Sequence, residues 1–324
     1  MKKNNIMWIY MLHIGMNFWE EHHEEIPYGD GCGCGAESFL RCDDNVWKRV
    51  TEFAAGNEVD AVLMDLGEGI RYQSHPELAV KGSWDTERLK KEILRLKDMG
   101  ITPIPKLNFS AAHDEWLGEY SHMLSTQKYY DVCKDLIEEV AYIFDNPPMF
   151  HLGMDEETYQ NQQTYKYVTV RQGEQWWKDL YKNIEILERL NIRPWIWADY
   201  IWHHEEEFLR KMPKTVMLSN WYYDNHFGDY EADPDHRMWV RPYSLLDENG
   251  YDQIPAASTW LKDNCMEQTV RYCNEKISGE HLKGFLQTLW KPTLPMYEHS
   301  HYAAISLMKY AAQNSGGIQS DINR

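Results

Sequence analysis

The chain has 324 residues, a hydrophobic fraction of 43% and a formal net charge of −18. This acidic balance argues against nucleic acid or an anionic membrane surface as a partner, because both would repel the protein. No apolar run reaches the length that a bilayer-spanning helix needs. The length allows two domains, but α/β barrels of this size commonly form a single unit.

Strand and helix patterns alternate along the first half of the chain. We predict strands at 6–14, 60–66 and 101–109, a fourth strand around 148–150, and helices at 46–55, 86–99 and 126–144. The pattern at 86–99 is the clearest, because Leu89, Ile93 and Leu96 share one face. Asp85 precedes it as an N-cap and Gly100 follows it as a stop.

The second half of the chain repeats this rhythm. It predicts strands at 194–198, 216–221, 254–259 and 282–290, and helices from about 177 to 191 and at 205–211, 266–277 and 299–312. The link from Tyr222 to Asp252 is long and only partly helical in pattern. Eight strand–helix units favour a single α/β domain over residues 1–324, a (β/α)8 TIM barrel. A Gly/Cys-rich loop at about 18–45 would lie over its mouth.

Active sites of such barrels lie at the carboxyl ends of the strands. Polar and aromatic residues follow the predicted strands there, and we take them as candidate site residues: Asp155, Glu156, Trp197, Asp199, Trp221, Trp260, Asp263 and Trp290. The chain also has 14 Trp and 21 Tyr. Such rings stack on the apolar faces of sugars, so these positions favour a carbohydrate ligand.

The acid pair follows the fourth predicted strand in the sequence His-Leu-Gly-Met-Asp-Glu-Glu at 151–157. Carboxylates crowded in a cleft raise each other's pKa, which keeps one of them protonated near neutral pH for use as a general acid. Taken alone, Asp155-Glu156 also fits a solvated surface turn. The barrel position favours catalysis.

This motif resembles the His-x-Gly-Gly-Asp-Glu signature of glycoside hydrolase family 20, the β-N-acetylhexosaminidases, with Met154 in place of the second Gly. The resemblance extends upstream through Gly69-Ile70-Arg71 and His75-Pro76-Glu77-Leu78. It implies hydrolysis of terminal β-linked N-acetylhexosamine, in which the acetamido oxygen of the substrate is the nucleophile. It assigns Glu156 as acid/base and Asp155 as the residue that orients the acetamido group, and it implies no cofactor and no metal.

Several positions depart from the family pattern. The first strand carries no Arg at 13–17, and Pro292 stands where the family has a Glu that grips the sugar. Asn108 replaces an Asp, and His113 is displaced by one residue; both remain candidate substrate contacts. Trp197, Trp221 and Trp260 would surround the acetamido group, with Asp263 and Trp290 nearby. These changes leave the identity of the sugar open.

Two alternatives stay open at this stage. In the first, Asp199 or another carboxylate acts as a separate nucleophile on a non-acetylated sugar. In the second, the barrel binds glycans without catalysis. The sequence does not decide the oligomeric state. It predicts a cytoplasmic protein as it stands, and a periplasmic or secreted one if a signal peptide has been removed.

The remaining motifs favour structural roles. The run Gly31-Cys32-Gly33-Cys34-Gly35 lacks the Lys-Ser/Thr of a phosphate loop, and together with Cys42 it has no recognised zinc spacing. His22-His23 lies in an acidic run typical of a solvated loop. We expect packing or capping roles for the other singled-out residues: His151, Trp176, Trp177, Cys133, Cys273 and the His203-His204 pair before a helix.

Overall fold

The computed structural model describes residues 6–19, 35–228 and 233–314. The Gly/Cys-rich run at 31–34 and His22-His23 therefore lie outside the described residues. Eight parallel strands form the centre: β1 Met7–His13, β2 Ala61–Asp65, β3 Thr102–Lys106, β4 Met149–His151, β5 Arg193–Trp197, β6 Met217–Ser219, β7 Ala256–Ser258 and β8 Gly284–Thr288.

Helices alternate with these strands and cover them on the outside. They are α1 Asp44–Ala55, α2 Thr86–Asp98, α3 Gln127–Ile143, α4 Tyr159–Gln162, α5 Glu174–Arg189, α6 Glu205–Lys211, α7 Pro234–Glu248, α8 Cys265–Lys276 and α9 Glu298–Asn314. A short two-stranded ribbon, Ile70–Arg71 with Trp84–Asp85, lies between β2 and α2. Among the described residues no helix is both long and apolar enough to cross a membrane.

The strands close into a barrel. Their order in the sheet is β6-β5-β4-β3-β2-β1-β8-β7, and hydrogen bonds from Ile254 N to Leu218 O (2.9 Å) and from Ala256 N to Asn220 O (3.0 Å) join the two ends. The predicted (β/α)8 barrel is thus confirmed. Strand alternation divides the core into two apolar clusters, because successive side chains point to opposite faces.

One apolar cluster fills the barrel interior and the other lies between strands and helices. The interior cluster includes Met11, Leu63, Ile104, Trp195 and Leu286. The larger outer cluster includes the predicted packing residues Trp176 and Trp177, which are buried on α5. Burial of each large apolar side chain stabilises the folded state by roughly 1.5–3 kcal/mol.

Local signals set the helix ends as predicted. The Asp85 side chain accepts the Arg88 N–H at the start of α2, and Gly100 follows α2 with a φ of +79°. Cys133 and Cys273 are buried free thiols on α3 and α8, as expected. The link after β6 contains the 15-residue helix α7, which the sequence pattern only partly indicates.

Candidate active site

The last residues of the eight strands form a ring at the carboxyl end of the barrel. They are His13, Asp65, Lys106, His151, Trp197, Ser219, Ser258 and Thr288. Each of these residues lies two positions after a residue of the interior apolar cluster, and side chains two positions apart on a strand point to the same face. The ring of side chains therefore faces the barrel interior. Polar groups therefore replace apolar ones where the barrel opens towards its loops.

The acid pair lies just above this ring, on the turn after β4. Asp155 is buried, whereas the Glu156 side chain is 35% exposed and is therefore accessible to a ligand. The turn is left-handed at Gly153 (φ +73°), Met154 (φ +74°) and Glu156 (φ +54°). A non-glycine residue in this region costs about 1–2 kcal/mol, so the surroundings must hold the turn in place.

Side chains from the segment that follows β3 hold Asp155. The Asn108 amide donates to Asp155 Oδ1 (2.8 Å), and Asn108 Oδ1 accepts the N–H of Met154 (3.3 Å). The Ser110 hydroxyl donates to the Asp155 carbonyl. Asn108 was predicted as a substrate contact; here it orients the carboxylate. Asn at this position can donate to an anion, which an Asp could do only when protonated.

His113 connects the two acids. Its Nε2 lies 3.1 Å from Glu156 Oε2 and 3.5 Å from Asp155 Oδ2. Burial lowers the pKa of His113, but the charges of Asp155 and Glu156 outweigh this effect and raise the pKa above its usual value. The two carboxyl groups on either side of His113 therefore favour its protonated form.

Burial raises the pKa of Asp155, and the Glu156 charge acts in the same direction. The His113 and Lys106 cations and the Asn108 hydrogen bond oppose this shift. Lys106 itself is fully buried and lies 2.6 Å from Asp65 Oδ2. A fixed cation below the acid pair thus favours the ionised form of Asp155.

An aromatic wall, formed by Trp197, Trp290, Tyr223 and Trp221, stands beside the acid pair. Trp197 and Trp290 have ring centroids 6.0 Å apart, Trp290 Nε1 donates to Tyr223 Oη (3.1 Å), and Tyr223 contacts Trp221 at 5.0 Å. Burial raises the pKa of Tyr223 strongly, and the charges of Asp155 and Glu156 add to this shift. The wall is therefore within electrostatic range of the acids.

Phe18 links the wall to the acid pair. Its ring centroid lies 6.4 Å from that of Trp290 and 6.5 Å from that of His113, and it covers the Lys106 ammonium at 5.1 Å. Phe18 was not among the site residues predicted from the sequence. It follows β1, and its position at a strand end was the signal that could have identified it.

The cluster of His13, Asp65 and Lys106 was also not predicted. His13 Nδ1 lies 3.3 Å from Asp65 Oδ2, the same oxygen that accepts from Lys106. All three residues end a strand, and the alternation of side chains along a strand places them on its inward face. These two features of the sequence could have identified them.

Trp260 and Asp263, by contrast, are exposed after β7. Trp260 contacts Lys291 at 5.1 Å, and neither residue bonds to the acid pair in the part of the chain that the structure describes.

Two further predicted residues have clear structural positions. His151 Nδ1 accepts the Gly153 N–H (3.0 Å), and its ring packs between Trp195 and Trp197, as expected for a buried partner. Burial, together with the Lys106 charge, lowers its pKa well below the usual value, so His151 is neutral. Asp199 Oδ2 accepts the backbone N–H of Glu156 (2.7 Å).

The acid pair and His113 also have a geometry that a metal ion could use. One ligand atom from each residue lies within 4.8 Å of the others. The contacts from His113 Nε2 to the two carboxylates already satisfy these atoms without an ion. These direct contacts hold the three side chains together.

Comparison with solved structures gives consistent matches. A β-N-acetylhexosaminidase from Bacteroides fragilis matches at 12% identity over 94% of this chain and 65% of that chain, with a TM-score of 0.62. The Flavobacterium johnsoniae chitobiase matches at 15% identity over 85% of this chain and 49% of that one (TM-score 0.60). Dispersin B matches at 14% identity over 85% and 96% (TM-score 0.58).

The barrel has the family 20 fold. A Streptomyces coelicolor GH20 β-N-acetylhexosaminidase shares it at 11% identity, with a TM-score of 0.59. No family model matches the sequence, and no curated protein matches it. The chain spans 65% and 49% of the first two solved structures named above. These matches thus show that the chain shares its fold with these proteins.

Proposed function

We propose that this protein is a glycoside hydrolase that removes terminal β-linked N-acetylhexosamine by substrate-assisted, retaining catalysis. The observation that carries the proposal is the arrangement of Asp155, His113 and Glu156 at the barrel mouth, beside the aromatic wall. The fold is shared with hexosaminidases, one of which, from Streptomyces plicatus, was solved with its product GlcNAc. This likeness supports a carbohydrate as the ligand.

Glu156 is suited to transfer the proton. Its carboxyl group is accessible, and His113 Nε2 holds one oxygen at 3.1 Å. In the first step Glu156 protonates the glycosidic oxygen while the acetamido oxygen attacks the anomeric carbon, which breaks the bond to the leaving group. In the second step Glu156 takes a proton from water, and that water opens the oxazolinium ring. Two displacements at one carbon retain its configuration.

Asp155 is suited to stabilise the acetamido group. The Asn108 amide holds Asp155 Oδ1, while Asp155 Oδ2 lies on the side of His113. Its carboxylate would accept the acetamido N–H and stabilise the positive charge that develops in the ring closure. A preorganised group of this kind is worth roughly 3–4 kcal/mol in the transition state. No separate nucleophile is needed.

The proposal is tested with aryl β-glycosides of N-acetylglucosamine, N-acetylgalactosamine, glucose and galactose. We expect turnover of the N-acetyl substrates only. Glu156→Gln should lower kcat on a 4-nitrophenyl substrate by about 10²- to 10⁴-fold, because proton transfer is lost. Asp155→Ala should lower it by roughly 10²- to 10³-fold.

Glu185→Gln on the exposed face of α5 is the matched control and should leave the rate unchanged. Turnover of the plain glycosides without the N-acetyl substrates would replace the proposal with a hydrolase that uses a separate nucleophile. Binding of N-acetyl glycans without any turnover would identify a binding barrel instead.

A further inference from the structure

Asp199 lies directly after β5, beside the turn that carries the acid pair. Its Oδ2 accepts the backbone N–H of Glu156 at 2.7 Å. Its Oδ1 is enclosed and has no hydrogen-bond partner among the described residues, and only 7% of the residue is exposed. One oxygen is thus occupied by the chain itself and the other is shielded from a ligand.

The backbone of Glu156 needs such a partner. Glu156 has a φ of +54°, a conformation that L-residues seldom adopt. Its carbonyl is held by the Asn161 amide (3.0 Å) and the Thr158 N–H (2.7 Å), but its N–H is held by Asp199. This hydrogen bond joins the turn after β4 to the end of β5.

We propose that Asp199 is a positioning residue that aims the Glu156 carboxyl group by fixing the backbone of Glu156, and that it does not touch the substrate. This inference rests on the proposed function. It assigns Asp199 neither the role of a nucleophile nor that of a sugar contact. Loss of the hydrogen bond would let Glu156 leave its left-handed conformation and move its carboxyl group away from His113.

The charge state of Asp199 agrees with this role. Burial, and next the charge of Asp155, raise the pKa of Asp199 to about 8, while the Glu156 N–H opposes the shift. This shift favours the uncharged form of Asp199 near neutral pH, in which a carbonyl oxygen accepts the N–H without adding a second anion beside Asp155. An Asn side chain offers the same acceptor, which makes Asp199→Asn the conservative replacement.

Leaving-group dependence tests the proposal most sharply. A 2,4-dinitrophenyl glycoside departs without protonation, whereas a phenyl glycoside needs the general acid. We expect Asp199→Ala to lower kcat/KM on phenyl N-acetylglucosaminide by about 10²-fold, a value within the range for general acid catalysis. The value of kcat/KM on the dinitrophenyl substrate should change less than about fivefold, because kcat/KM reports the first step alone and not the later attack of water.

Asp199→Asn should restore kcat/KM on the phenyl substrate to within about tenfold of the wild type. The ratio of the rate on the phenyl substrate to the rate on the dinitrophenyl substrate does not depend on how much of the protein is folded. If Asp199→Ala does not fold at all, Asp199→Ser takes its place. Glu156→Gln should show the same selective loss as Asp199→Ala, whereas Asp155→Ala should lose rate on both substrates.

Two results would overturn the inference. Equal losses on both substrates, or an Asp199→Asn variant as inactive as Asp199→Ala with a raised KM, would show that Asp199 acts on the substrate itself. If the wild type hydrolyses no N-acetyl glycoside at all, the proposed function has failed, and the inference falls with it. If the wild type is active but the selective loss is missing, the inference alone has failed.

Discussion

Gly153 allows the acid turn to approach Asn108. A Cβ at this position would lie 1.9 Å from Asn108 Oδ1 and 2.8 Å from Asn108 Cα, and the φ of Gly153 is +73°. Since Asn108 orients Asp155, any side chain at 153 would displace the Asp155 carboxylate as well as strain the backbone.

Gly153→Ala should therefore reduce both stability and activity. Gly100→Ala is a matched control, because Gly100 has a φ of +79° and no atom within 4 Å of the added Cβ. We expect Gly100→Ala to lower the free energy of unfolding by about 1–2 kcal/mol through backbone strain alone, and Gly153→Ala to lower it further. Urea unfolding and kcat/KM are measured together. Equal losses of stability with full activity in both variants would contradict the packing argument.

The sequence predicted some site residues and missed others for physical reasons. Asp155-Glu156 stands out because the pair follows a predicted strand of the barrel and lies in a motif that resembles a family signature. Lys106 was not singled out, because the third strand was predicted to continue to Phe109, which placed Lys106 in a strand interior. Its partner Asp65 is 41 residues away, and a contact at that separation depends on the register of β2 and β3.

At the scale of elements, the segment after the acid pair is tied to α5 by a buried ion cluster. Arg171 donates to Glu157 through Nε (2.8 Å) and Nη2 (2.6 Å) and to Asp179 through Nη1 (3.1 Å). All three side chains are at most 3% exposed. Removal of the Arg171 cation would leave the buried carboxylates of Glu157 and Asp179 without an opposite charge, which is strongly unfavourable.

Arg171→Met should lower the free energy of unfolding by about 3–5 kcal/mol. The comparison is Lys48→Ala, which breaks an exposed pair with Glu52 (3.9 Å) and should cost less than about 1 kcal/mol. Urea denaturation of the two variants and the wild type measures both values. An Arg171→Met variant within 1 kcal/mol of the wild type would show that the cluster does not stabilise this segment.

Element prediction was weakest between β6 and β7. The helix α7 there begins with Pro234 and contains Pro242 in its interior, and a proline inside a pattern usually indicates the end of a helix. Helices with strong caps and regular apolar spacing, such as α2, were predicted within one residue. The difference follows from the local signals in each segment rather than from its length.

At the scale of the whole molecule, eight strand–helix units were enough to predict the barrel, because alternation with short links has few other solutions. The order and closure of the strands then place the strand ends at one mouth. Which ligand fits that mouth depends on loops and on side chains from distant strands. The position of Phe18 over Lys106, between Trp290 and His113, could not be derived from spacing along the chain.

We propose that the acetamido oxygen of the substrate is the nucleophile, with Asp155 and Glu156 in two distinct roles. The decisive measurement is kcat/KM on 4-nitrophenyl N-acetylglucosaminides whose acetyl group carries zero, one, two or three fluorine atoms. Fluorine withdraws electrons from the acetamido oxygen, so we predict a steep, progressive fall in kcat/KM along the series. Values of kcat/KM that stay constant across the four substrates would contradict substrate assistance and indicate a nucleophile supplied by the protein.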